Sequence, residues 1–147
     1  MKALLQRVTN ASVTVNNQVI ANIAHGCLAL VGVEPHDSEA AASRLAERIV
    51  AYRMFADEAG RMNRSLRDIG GGLLLVSQFT LVADTRKGTR PGFSTAAAPD
   101  VAEPLFEHMA AHARTLLDDV QLGRFGADMK VALVNDGPVT FWLSASG

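Results

Sequence analysis

Cysteine is nearly absent from this chain. Cys27 is the only one in 147 residues, so no disulfide can form within it. Its apolar neighbours in "CLALVGV" mark it as a core side chain rather than a reactive thiol. Charge of one sign is also scarce. Fourteen Lys and Arg against fifteen Asp and Glu leave a formal net charge of −1, which excludes binding to nucleic acid through bulk positive charge and leaves room only for a local basic patch. No apolar run approaches the roughly eighteen residues of a membrane span, and no cleavage-like site follows the short apolar stretch after Met1. There is no Walker loop, G-x-S-x-G elbow, HExxH or CxxC, and no repeat, low-complexity tract or linker. These absences predict one domain, residues 1–147, in a reducing cytoplasm, with no metal, no cofactor and no membrane contact.

The chain does hold enough apolar residues for a core, 48% of the total. "ALLQRVT" and "SVTVNNQVIANI" are β-branched and partly alternating, with Asn16-Asn17 as a turn. "CLALVGV" is a continuous apolar run, which predicts a strand covered on both faces. Asp37 or Ser38 can cap a helix whose stripe is Ala42, Leu45, Ile49 and Tyr52. "LLLVSQFTL" reads as the longest strand. Pro99 and Asp100 open a second helix, with Pro104 placed in its first turn and an inner stripe of Leu105, Met109, His112 or Ala113, and Leu116. "VALVN" and "VTFWL" read as two closing strands. The fold class is therefore α+β: a mainly antiparallel, barrel-like sheet with two packed helices.

Three stretches invite chemistry. His108 and His112, four apart, share a helical face, but no patterned carboxylate stands beside them, so they read as a partly solvated face and not as a metal site. In "SQFTL", period two places Gln78 and Thr80 on one face, and Ser77 and Phe79 on the other. A buried strand ending in Ser, Gln and Thr must satisfy those groups, either by ordinary strand-end hydrogen bonds or as a pocket offering side chains and N–H groups to a ligand. "TRKGTRPGF" gathers Arg86, Lys87 and Arg90 around Gly88, which suits either a solvated loop or a phosphate-binding one. Finally, Asp136-Gly137 between two apolar runs signals a hairpin, yet Pro138 lacks the N–H that would close it. A cis Gly137-Pro138 bond is one way to build such a tip.

In order along the chain, "RVTNASVTV", "RMN", "GGGLLLVSQFTLVADT", "KGTRPGFS", "GRFGADM" and "LVNDGPVTFWL" resemble the bacterial D-aminoacyl-tRNA deacylases, editing enzymes that remove D-amino acids from tRNA. Gly92 stands where that family more often has Ser. The resemblance implies a deacylase-like fold and a homodimer in which the cis tip of each subunit enters the other's pocket. There, Gly137 and Pro138 would exclude an L side chain and admit a D one, and glycine on alanine tRNA would also be a substrate. Arg7 would hold the tip. The backbone N–H groups of Phe79 and Thr80 would stabilise the oxyanion, while a ribose hydroxyl of the tRNA assists catalysis. Ser77, Gln78, Met129 and Asn135 would contact substrate, and Arg86, Lys87 and Arg90 the tRNA. A covalent Thr80 nucleophile ranks lower, for want of an activating base. Two other readings are a non-catalytic module that binds tRNA ends, and a structural dimer whose polar strand ends satisfy one another.

Overall fold

The two longest strands lie at opposite ends of the chain and pair with each other. The computed structural model describes residues 1–147. β1 (Lys2–Val15) turns at Asn16 and Asn17, both with positive φ (49° and 63°), into β2 (Gln18–Ile23). Asparagine tolerates the left-handed region better than most residues, and a two-residue turn with both centres left-handed matches the twist of paired strands. β3 (Gly26–Gly32) leads to α1 (Glu39–Ala51), β4 (Arg53–Ala56), β5 (Met62–Ser65) and a four-residue helix, α2 (Leu66–Ile69). β6 (Gly72–Ser77) runs into a 3-10 turn (Phe79–Val82). α3 (Pro99–Arg114), β7 (Val120–Leu122) and β8 (Lys130–Ser144) follow.

β1 is the spine. One edge pairs antiparallel with β8 along nearly its whole length; the other pairs with β3 over residues 2–8 and with β2 over residues 11–15. β3 then pairs in parallel with β6, and β6 with β7. The sheet is mixed, nearly closed and barrel-like. Leu28, Leu74 and Val76 bury one face of β3 and β6, while Ala29, Val31, Leu73 and Leu75 bury the other beneath Leu45, Ile49 and Met109 of α1 and α3. Both strands are covered on two sides, as their continuous apolar runs require. Cys27 belongs to this core, and burial pushes its thiol up to about 12, so it carries no reactive thiolate near neutrality.

Ser38 caps α1, its hydroxyl accepting from Ala41 N–H at 3.2 Å. Pro99 occupies the first position of α3. Pro104 lies in the second turn, not the first, and is tolerated because it and Asp100, whose carbonyl loses that bond, are both exposed. Ala113 completes the inner stripe; His112 turns outward to Glu47 Oε1 at 2.9 Å, and His108 meets Ser43 Oγ at 2.9 Å. Both imidazoles tie α3 to α1.

Three expectations are corrected. There are three helices, not two: a short one, α2, follows the β4–β5 pair, and Ser65 and Asp68 close the reciprocal capping box that starts it. The strand in "LLLVSQFTL" stops at Ser77: Gln78 N–H bonds Val31 O at 2.7 Å, and the chain then winds into the 3-10 turn. Most important, "VALVN" and "VTFWL" are not two strands of a hairpin. They are one strand, because both halves pair in the same direction with β1. The local signal at Asp136-Gly137 marks a bulge in β8, not a reversal. No helix is long and apolar enough to cross a membrane.

The parallel β3–β6 pair depends on a close backbone approach. A Cβ at Gly26 would lie 2.0 Å from the Gly72 carbonyl oxygen. Gly26→Ala should therefore lower stability by about 3 kcal/mol, read as the midpoint of urea unfolding; an unchanged midpoint would contradict this packing.

Candidate active site

β3 and β6 end level with each other, Val31 opposite Ser77, and beyond their C-terminal ends lies a cavity of about 690 Å³. Val31 and Val76 form its floor. Ser77, Gln78 and Phe79 stand on one side and Met129 lines it too, while Ala98, Pro99 and Ala102 bring in the start of α3. Of its 17 lining residues 13 are hydrophobic, and none carries an ionisable side chain. Such a lining suits an organic ligand fixed by few polar contacts. It offers no general base, no activated nucleophile and no metal ligands.

The polar contribution is mostly backbone. The first bond of the 3-10 turn runs from Leu81 N–H to Gln78 O at 3.1 Å, so the N–H groups of Phe79 and Thr80 precede it and have no partner inside the turn. Two adjacent free amide donors, the first from the cavity-lining Phe79, can serve an oxyanion. The Gln78 side-chain amide donates to the Thr80 hydroxyl. Thr80 is exposed and outside the cavity lining, and its partner is an amide that cannot take its proton. Met129 approaches because Gly123 has no side chain: a Cβ there would lie 2.8 Å from Met129 Sδ.

Ser77, Gln78, Phe79 and Met129 are thus brought together, and the other expected site residues are not. Gln6 pairs with Thr140 and Val8 with Asn135, so a single residue, Arg7, faces four, residues 136–139. Arg7 Nε donates to the Asp136 carbonyl at 2.9 Å and Nη1 to the Met54 carbonyl of β4 at 2.9 Å. Asn135 closes the base of the bulge: its Oδ1 accepts from Val139 N–H at 2.7 Å and its Nδ2 donates to Thr140 Oγ1 at 3.0 Å. Its amide is thereby engaged within β8. Gly137 and Pro138, joined by a cis bond, are exposed at the crest and do not line this cavity.

The cations form a separate feature. Asp84 and Gly92 exchange backbone bonds at 2.8 and 2.9 Å, closing a loop over residues 85–91. Arg86 grips Asp84 with two bonds, at 2.8 and 2.7 Å, and that guanidinium holds the Asp84 carboxyl down at about 2. Lys87 and Arg90 are exposed and form no ion pair. The sequence reading missed Phe93 and Phe125, both on the cavity wall. Phe93 had a signal: a lone aromatic directly after the cations and two glycines.

A family model described as D-Tyr-tRNA(Tyr) deacylase matches residues 4–144. The chain belongs to that family. It is 64% identical over 144 residues, 97% of this chain and 99% of the relative, to a D-aminoacyl-tRNA deacylase of Xanthomonas axonopodis pv. citri (strain 306). A solved structure named c-Myc DNA Unwinding Element Binding Protein superposes with a TM-score of 0.95 at 36% identity, covering all of both chains. Another, of a probable eukaryotic D-amino acid tRNA deacylase, gives 0.84 at 17% identity, covering 97% of each chain, a likeness of fold alone. In this deacylase family member, therefore, the ordered motifs that suggested the family and the α+β sheet both stand.

The Asp84–Arg86 pair yields a direct check. Because the folded-state value of Asp84 is depressed, its contribution to stability is present above about 3.8, its ordinary value, and is lost as pH falls through about 2. In Arg86→Ala the Asp84 carboxyl, followed by NMR titration, should return toward its ordinary value; a carboxyl still near 2 would contradict the pairing.

Proposed function

We propose that the chain is a cytoplasmic hydrolase that cleaves the ester of D-aminoacyl-tRNA, and of glycine attached to alanine tRNA, releasing the amino acid and free tRNA. The observation that carries this reading is the uncharged cavity at the end of β6, with Phe79 on its wall at the start of a 3-10 turn that leaves the Phe79 and Thr80 N–H groups unpaired within it. A site without base or nucleophile suits a substrate that brings its own assisting group. The aminoacyl ester of the terminal adenosine has one, the neighbouring ribose hydroxyl. Ser77, Gln78 and Met129 hold the adenosine. The ribose hydroxyl orients the water that adds to the carbonyl carbon, and the two N–H groups take the charge forming on its oxygen. The ester C–O bond then breaks and the ribose oxygen leaves with a proton. The protein's part is positioning and electrostatic stabilisation.

Selectivity falls to the bulge. Gly137 and Pro138 are exposed, absent from the cavity of their own chain, and held by Arg7 and Asn135. In a homodimer the crest enters the partner's cavity. There it collides with an L side chain, leaves room for a D one, and meets nothing in glycine. Discrimination is by exclusion. Lys87 and Arg90 hold the tRNA backbone, with Arg86 beside them. A non-catalytic module that binds nucleic-acid ends is the second reading, favoured by the name of the solved structure with 36% identity. Hydrolysis of matched D- and L-tyrosyl-tRNA by catalytic amounts of protein separates the two. Multiple turnovers on the D ester alone support the enzyme; no ester loss beyond the spontaneous rate leaves the binding module.

Two results are expected if the ribose and the bulge act as described. A 2′-deoxy terminal adenosine should lower turnover at saturating substrate by about a hundredfold or more, the range of a lost proton-transfer partner; equal turnover would remove the ribose from the mechanism. Gly137 has φ 149°, and a Cβ there would lie 2.6 Å from Val139 Cγ2 and 2.7 Å from Val139 N. Gly137→Ala should displace the crest and lower the D-over-L ratio of kcat/KM at least about tenfold, a shift of ~1.4 kcal/mol; an unchanged ratio at unchanged turnover would acquit the bulge.

A further inference from the structure

Phe79 and Phe93 are large apolar side chains left in water, 58% and 47% exposed. They come from separate segments, the 3-10 turn and the irregular stretch after Gly92, yet their rings meet with centroids 5.2 Å apart and planes inclined by 55°. Both stand on the wall of the cavity. Burial of their faces is not needed to close the core, since neither belongs to its clusters. On the other side, Phe93 follows directly on Gly92, which with Asp84 forms the stem of the cation loop. The chain thus passes from the cations through the stem directly to Phe93, on the cavity wall.

We propose that the Phe79–Phe93 pair is a stacking platform for the nucleobase that precedes the terminal adenosine in the single-stranded tRNA end. The inference rests on the reading of the cavity as the site of that adenosine. A single strand that places its last nucleoside in the cavity and its phosphates near Lys87 and Arg90 crosses Phe93 on the way. Exposed aromatic faces beside unpaired cations are the usual combination for holding single strands: the cations meet phosphates, and the rings meet bases whatever their identity. An apolar peptide would use the rings and leave the cations idle. The neighbouring base suits both, and its contact with the protein would be independent of which amino acid the tRNA carries.

The test uses the full-length protein and a D-tyrosylated RNA hairpin with a single-stranded CCA end, alongside the same hairpin made abasic at the penultimate position. Stacking on an aromatic side chain stabilises a bound base, so the abasic substrate should show a KM about tenfold higher with wild-type protein, at similar kcat. In Phe93→Ala and Phe93→Leu the ratio of the two KM values should fall to about 1, whereas Phe93→Tyr, which keeps the ring face, should preserve it. Equal KM values in the wild type, or a ratio that survives in both Phe93→Ala and Phe93→Leu, would overturn the platform. If the wild type hydrolyses neither hairpin, the proposed activity fails. Equilibrium binding of the two uncharged hairpins then gives the same ratio, with the same supporting and opposing results.

Discussion

One guanidinium organises the exposed end of the sheet. β8 pairs with β1 on both sides of residues 136–139, which leave the ladder opposite Arg7, and the register shifts again at Thr9. Four backbone units removed from a ladder need other partners. The Arg7 side chain, only 15% exposed, supplies two donors, one to the Asp136 carbonyl within the bulge and one to the Met54 carbonyl of β4. A largely buried cation is tolerated because both bonds are charge-assisted and the Asp136 carboxylate lies 3.7 Å from Nε. The bulge is thereby fixed to β1 and to the β4 hairpin at once, and the Asn135 amide pins its base. These contacts hold the Gly137-Pro138 crest, and β1–β8 pairing resumes beyond it in a shifted register.

The cavity depends on a different constraint, the parallel alignment of β3 and β6. Their buried faces set both ends at one level, and the chain then leaves β6 through the tight 3-10 turn rather than continuing flat. That change of geometry leaves the Phe79 and Thr80 N–H groups without ladder partners beside an apolar hollow. Crevices at the carboxyl ends of parallel strands recur as ligand sites for this reason. Here the hollow lacks any titratable side chain, and its polar groups are Ser77, Gln78 and the backbone. The exposed crest and the hollow do not meet within one chain, so a function that needs both requires two copies.

How legible this was in the sequence varied with how local each signal is. Asn16-Asn17, Ser38 and Pro99 act on their immediate neighbours, and each sits where its chemistry predicts. The doubly covered β3 was legible because "CLALVGV" has no polar alternation. The hairpin at Asp136-Gly137 was misread because its flanks resemble partners, while their true partner, β1, lies more than a hundred residues away. Period two failed past Ser77, since the bond from Gln78 N–H to Val31 O that ends the strand is long-range. The bonds by which the Asn135 amide closes the bulge, to Val139 and Thr140, were hidden because the hairpin reading placed those residues on a separate strand. Phe93 escaped because an aromatic in a polar loop reads equally well as a core anchor.

The bulge that Arg7 holds is the element to test for control of handedness. The most direct measurement is the ratio of kcat/KM for D-tyrosyl-tRNA to that for L-tyrosyl-tRNA in Arg7→Met, a variant of similar length that donates no hydrogen bond to the Asp136 and Met54 carbonyls. Freed from its anchor, the crest should no longer exclude the L side chain, and the ratio should fall by about tenfold or more, in line with the ~1.5–3 kcal/mol of a hydrogen bond to a charged group. A wild-type ratio at wild-type turnover would contradict the account.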